Sequence, residues 1–175
     1  MQKPRIDSQL VELAGRNWLT SQLLQAGLEV ARPERDRGID LIAYRDVDQT
    51  LQFLAYPIQM KAATHEGFNL YPKYEKFPRL ILAYVWNLGD TSRTKCFALT
   101  YKEAFRVADE MGYTETDSWL SGGRSKIRGY STTAPSKRLK ELLAPFEMTP
   151  EKWSELMSAD GQIDQSQSNP LRGFQ

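Results

Sequence analysis

Two stretches decide the fold: Gly38-Ile39-Asp40-Leu41-Ile42-Ala43-Tyr44 and Leu51-Gln52-Phe53-Leu54-Ala55-Tyr56-Pro57-Ile58-Gln59-Met60-Lys61-Ala62. Both are rich in aliphatic and aromatic residues, and each reads as a strand. Side chains alternate across a strand, so Gln59 and Lys61 leave one face about 7 Å apart. Ile58 and Met60 take the other face, as a core requires. An ammonium on an otherwise apolar strand costs free energy unless it reaches water or an anion. Asp40, at the start of the preceding strand, offers that anion. Pro57 brings no ladder donor and predicts an edge position or a bulge partway along.

Upstream, residues 8–26 have helical spacing, with Asp7 or Ser8 as N-cap and Gly27 as stop. Leu10, Ala14, Trp18 and Ser21 form one stripe, and Glu12, Leu19 and Leu23 a second, which predicts a helix wedged between neighbours. Residues 28–31 form a short strand. Downstream, Pro72 and Pro78 keep 64–79 irregular. Residues 79–86 are apolar on both faces and predict a central strand, followed by another at 95–100. Helices are expected at 101–111, 136–144 and 149–158, the last announced by Pro150 directly after Thr149. From Gly161 the chain turns polar and is expected to be disordered. The order predicts one mixed α/β domain over 1–160, strand-rich to about 100 and helical after it, with a tail at 161–175.

Composition excludes several classes. The 175 residues carry 23 basic and 22 acidic side chains, which excludes a uniformly basic nucleic-acid coat. Cys96 and His65 are the single cysteine and histidine, so internal disulfides, thiolate cages and two-histidine metal sites are excluded. No apolar run approaches the ~20 residues of a membrane span. No apolar stretch follows Gln2, Lys3 and Pro4, so no leader is expected and the expected location is cytoplasmic.

The chemistry lies in the polar residues of the strands. Asp40 and Glu12 supply two carboxylates, Gln59 an amide and Lys61 an ammonium. Such an oxygen-donor set suits Mg²⁺ or Mn²⁺, which keep several waters. Glu12 also stands four residues before Arg16, the spacing of a helical ion pair. A glutamate in the first helix, then G-I-D, then I-Q-M-K on the next strand resembles the PD-(D/E)xK nuclease superfamily. The likeness is closest to its Mrr-type branch, in which glutamine replaces the second acid, and it covers roughly residues 8–100. It implies a restriction-endonuclease-like α-β-β-β-α-β core and metal-dependent hydrolysis of phosphodiester bonds, DNA foremost. It also implies residue roles: Asp40 as central metal ligand, Gln59 ligating through its carbonyl, Glu12 as the helix carboxylate, the backbone carbonyl of Met60 facing the ion, and Lys61 as the catalytic lysine. Gln59 removes one negative charge from the parent pattern and so weakens the ion's hold. The alternative is an inactive nuclease-fold module that binds nucleic acid or a protein partner in a defence or repair complex.

Charge patterning agrees with a nucleic-acid partner. Arg124, Lys126, Arg128, Lys137, Arg138 and Lys140 fall between residues 122 and 140 without an intervening acid, a local cluster suited to phosphate backbones. The glycines there predict a flexible segment. Arg35 and Arg37, just ahead of Asp40, are candidates for phosphate contact near the scissile bond. A homodimer would bring two sites to one duplex.

Overall fold

In the computed structural model, residues 7–35, 37–47 and 52–163 are described. Helix α1 (Ser8–Gln25) starts at Asp7, whose side chain accepts a hydrogen bond from the Gln9 N–H. It ends as Gly27 turns into the left-handed region at φ +75°. Five strands follow and form a mixed sheet: β1 (Glu29–Ala31), β2 (Leu41–Val47), β3 (Gln52–Ala62), then, after a short strand β4 (Phe68–Leu70), β5 (Ile81–Trp86) and β6 (Lys95–Thr100). The order across the sheet is β1-β2-β3-β5-β6, and only the β3–β5 pair is parallel. Strand β4 instead pairs with β7 (Tyr130–Thr132) in a separate two-stranded sheet.

Pro57 sits at a transition. The register of β3 with β2 runs unbroken from Gln52 to Ile58, so there is no bulge. Strand β5 joins only from Ile58 onward. Pro57 therefore falls just before the strand changes partner, with Ile58 paired to both β2 and β5 and the later residues to β5, so its missing N–H removes no β5 bond. All six residues of β5 are buried, in keeping with its interior place.

Helices cover both faces. Below the sheet, Leu19 and Leu23 of α1 pack with Ile58, Met60, Ile81 and Val85. Helix α5 (Pro150–Ile163) joins this same layer through Trp153 and Met157. It is tied there by Tyr56, whose hydroxyl donates to the Met157 carbonyl, and by Arg45, which donates to the Ser154 hydroxyl at 2.9 Å. Above the sheet lie α2 (Tyr101–Glu110), α3 (Asp117–Ser121) and α4 (Lys137–Leu143), packed on Leu82, Tyr84, Trp86 and Leu99. Thr100 and Glu103 close a capping box at the start of α2. Each of these helices is too short to stand alone and is held by its buried face.

The structure corrects several expectations. Helix α1 buries only the stripe of Gly15, Leu19 and Leu23, while Leu10 and Ala14 stay exposed, so it lies on the sheet and is not wedged. Helix α5 shares the side of α1, opposite the other later helices α2 to α4. No α-helix separates β3 from its parallel neighbour β5. Instead β4 and a 3-10 turn at Pro72–Tyr74 make the crossing, because Pro72 and Pro78 break a longer element. The last helix continues to Ile163, past the polar shift at Gly161, and the rest of the expected tail lies outside the described residues. Among the described residues, no helix is long and apolar enough to cross a membrane.

Candidate functional site

Register assembles the site. Leu41 pairs with Ile58, so Asp40, one residue earlier, stands across from Gln59, and its N–H donates to the Ile58 carbonyl at 2.8 Å. Cross-strand neighbours share a face. Gln59 and Lys61 lie level with Leu82 and Tyr84 of β5, so all three polar side chains leave on the aromatic side of the sheet. Ile58 and Met60 enter the aliphatic side.

The carboxylate of Asp40 is held firmly. Its Oδ2 accepts from the Met60 N–H at 2.6 Å and from the Gln59 side-chain amide. The same amide nitrogen also donates to the Met60 carbonyl at 3.2 Å. Gln59 is 6% exposed and the one buried polar residue of the described chain, while Asp40 is half-buried at the pocket, so the Gln59 side of this network is shielded from water. Low exposure strengthens each of these bonds and makes the loss of one expensive.

Glu12 reaches the same place by a different route. A Cβ added at Gly15 would collide with the Cβ of Ala62, so α1 lies directly on the end of β3 at that point. One turn earlier, Glu12 stands beside the strand end while also pairing with Arg16. Glu12 thus makes the ion pair with Arg16 that its spacing predicts, and it also lines the pocket. Asp40, Gln59, Met60, Lys61 and Glu12 all line one pocket of about 360 Å³, and so does His65, at its exposed rim.

Other lining residues carried no functional signal in the sequence. Gly67, Phe68 and Asn69, together with Ser131 and Thr132, form the opposite wall, and Trp86 also lines the pocket. Tyr74, 2% exposed, lies beside the catalytic candidates: its ring centroid is 5.3 Å from the Lys61 Nζ and 5.1 Å from that of Lys73. Burial raises the Tyr74 phenol above its ordinary range; Lys73 opposes this and the Asp40 carboxylate adds to it. That pattern places Tyr74 within electrostatic reach of Asp40. The aromatic spacing of Tyr71, Tyr74 and Phe77 was the available clue.

The donor set suits a hard cation with few protein charges. No cluster of three or more His, Cys, Asp or Glu side chains occurs among the described residues, so the available oxygens are the two carboxylates, the Met60 carbonyl and the Gln59 amide. Mg²⁺ is commonly held by one or two carboxylates plus waters and substrate phosphates, which these residues can satisfy. One feature departs from the expected geometry. The amide nitrogen of Gln59, not its carbonyl oxygen, faces Asp40, and Oε1 lies on the Gly38 side. Ligation by Gln59 requires its amide to turn over.

The basic segment is less uniform than its sequence suggests. Lys137 pairs with Glu141, Arg138 with Glu110, and Lys140 with Glu66 at 2.5 Å. The Nε of Arg128 donates to the Trp119 carbonyl. Arg124 and Lys126 are exposed in a tight turn where Lys126 adopts φ +57°. The segment is structured, through β7 and α4, where flexibility was expected. Lys140 is tied to the pocket's edge, since its partner Glu66 lies between the lining residues His65 and Gly67. Arg35 and Arg37 are exposed just ahead of Gly38, outside the pocket lining.

Comparison with protein-family models, curated proteins and solved structures finds no match to this chain. The functional reading therefore rests on the site itself.

Proposed function

We propose that this chain is a metal-dependent nuclease with a restriction-endonuclease-like fold of the PD-(D/E)xK type, hydrolysing phosphodiester bonds, DNA foremost. The observation that carries the reading is the convergence of Glu12, Asp40, Gln59 and Lys61, from a helix and two strands, on one pocket. A chance arrangement of four polar residues has no reason to share a cavity.

Asp40, with Glu12 and the Met60 carbonyl, would hold Mg²⁺ or Mn²⁺. When bound, such an ion offsets charge on a phosphate oxygen and lowers the pKa of a water. Lys61 stands on the same strand face as Gln59, where its ammonium orients the attacking water and faces the developing negative charge. Tyr74, against the Lys61 ammonium, limits the directions that side chain can take. The Asp40 carboxylate is fixed in advance by the Met60 N–H, so little reorganisation remains for the reaction.

A second reading has its own support. The Gln59 amide bridges Asp40 and the Met60 carbonyl, the two oxygens most suited to a cation. A site locked in that state would bind nucleic acid or a protein partner without cutting. The deciding experiment incubates wild type, Asp40→Ala and Lys61→Ala with single- and double-stranded DNA and RNA in Mg²⁺ or Mn²⁺. Cleavage by wild type that falls at least about 100-fold in both variants supports the nuclease. Equal background from all three proteins removes it and favours the binding module.

A further inference from the structure

Positive charge on this chain is held in two different ways. In the 122–140 segment the cations are answered by acids: Lys137 by Glu141, Arg138 by Glu110 and Lys140 by Glu66. The exposed lysines of the turn at 71–77 are seated against aromatic rings instead. The Lys73 Nζ lies 5.7 Å from the centre of the Tyr71 ring and 5.1 Å from that of Tyr74, and the Lys76 Nζ lies 5.0 Å from that of Phe77. Among the described residues no ion pair takes either ammonium. A carboxylate cancels the charge it pairs with. A ring holds a cation in place and leaves its charge acting outward. The acid within the turn, Glu75, lines a separate cavity with Thr100, Tyr101 and Lys102 at the start of α2.

This turn adjoins the candidate centre. The Lys61 Nζ stands 5.3 Å from the same Tyr74 ring that Lys73 touches, so the two ammonium groups flank one side chain, and their fields add within the ~10 Å Debye length of 0.1 M salt. A Cβ at Gly38 would meet Tyr74 Cε1 at 3.7 Å and Phe77 Cε2 at 3.9 Å, so the segment that enters Asp40 lies against the turn. Lys61, Lys73 and Lys76 thus form a run of held charges that begins beside Asp40. Lysine meets a phosphate as a point charge, and a phosphodiester backbone supplies such anions in series.

We infer that the turn at 71–77 is the surface that guides a nucleic-acid backbone to the Asp40–Lys61 centre, with Lys73 and Lys76 as its phosphate contacts. The inference rests on the nuclease reading for the choice of a nucleic acid, and binding tests it without cleavage. Fluorescence anisotropy in EDTA, where a metal-dependent site cannot cut, follows a short labelled duplex from about 50 to 200 mM KCl. Wild-type affinity should fall as salt rises. Lys73→Gln and Lys76→Gln should each lower the slope of log K against log salt by about one, and the double variant by about two. Lys137→Gln combined with Arg138→Gln should leave the slope at its wild-type value. Lys73 and Lys76 are exposed, so circular dichroism of their variants should match wild type. A slope that the 137 and 138 substitutions lower and the 73 and 76 substitutions do not overturns the inference, as does the absence of salt-sensitive binding. Displacement of the duplex by polyglutamate as readily as by unlabelled DNA also overturns it, in favour of an acidic protein partner. Lys61-dependent cleavage with a slope indifferent to Lys73 and Lys76 would discard this surface alone. A slope that needs both lysines, without Lys61-dependent cleavage, would discard the nuclease and keep the surface.

Discussion

The two faces of the central sheet are built from different materials. Beneath it, the layer of Leu19, Leu23, Ile58, Ile81 and Val85 is mainly aliphatic, with Tyr56 and Trp153 as its fully buried aromatic members, and is closed by α1 and α5. Above it, Phe68, Tyr74, Tyr84, Trp86, Phe97 and Trp119 dominate. Aliphatic side chains fill space and make no directional demand. Tyrosine and tryptophan also bury area, but each carries a polar tip that must find a partner. Here those tips hold the β4–β7 wall, the Trp86 indole N–H donating to the Gly67 carbonyl and the Tyr84 hydroxyl to the Asn69 carbonyl. The lower face secures the fold, and the upper face uses its aromatic groups to shape a cleft around Asp40, Gln59 and Lys61.

That contrast breaks down if the two faces cannot be perturbed separately. On the upper face, Asp40→Ala, Lys61→Ala or chelation with EDTA should each lower cleavage at least about 100-fold, with far-ultraviolet circular dichroism unchanged. On the lower face, Leu23→Ala removes a side chain with 0% exposure and should cost about 2–5 kcal/mol in urea unfolding. Its cleavage rate per folded molecule should stay near wild type. Gly15→Ala sharpens the comparison, because it forces α1 away from Ala62 and shifts Glu12 with it. It should cost about 1–3 kcal/mol and also lower cleavage, a double effect that Leu23→Ala lacks. The smallest effect expected is none at all. Burial raises the Cys96 thiol far above its ordinary range, so a thiol reagent at pH 8 should leave the native chain unmodified and react only after unfolding in guanidinium.

Much of this was legible in the primary structure, and what was not has physical causes. Strands β2, β3, β5 and β6 announced themselves through long apolar runs, and the cap at Asp7 and the Thr149–Pro150 start signal marked two of the helices. Strand periodicity put Gln59 and Lys61 on one face, and Asp40 was offered as their partner by its place at the start of the preceding strand. The register supplies its contact with Gln59. Strands β4 and β7 have three residues each, too few to display a period, and they find each other across some sixty positions. The wall and its Asn69 were therefore invisible. Leu10 and Ala14 misled because periodicity reports that a face is apolar and not that anything covers it; of that stripe, Trp18 packs partly buried against the core. The basic run between 122 and 140 looked uniform because its acids, Glu66 and Glu110, come from distant sequence.

The place of Trp86 has one more consequence. Its ring lines the cleft while its N–H is committed to Gly67, whereas Trp153 lies buried on the opposite side of the sheet. An indole so placed is a built-in optical reporter. Quenching or a spectral shift of its emission will register arrival of a ligand at the cleft without any attached dye, and Trp86→Phe supplies the blank against which the other three indoles are subtracted.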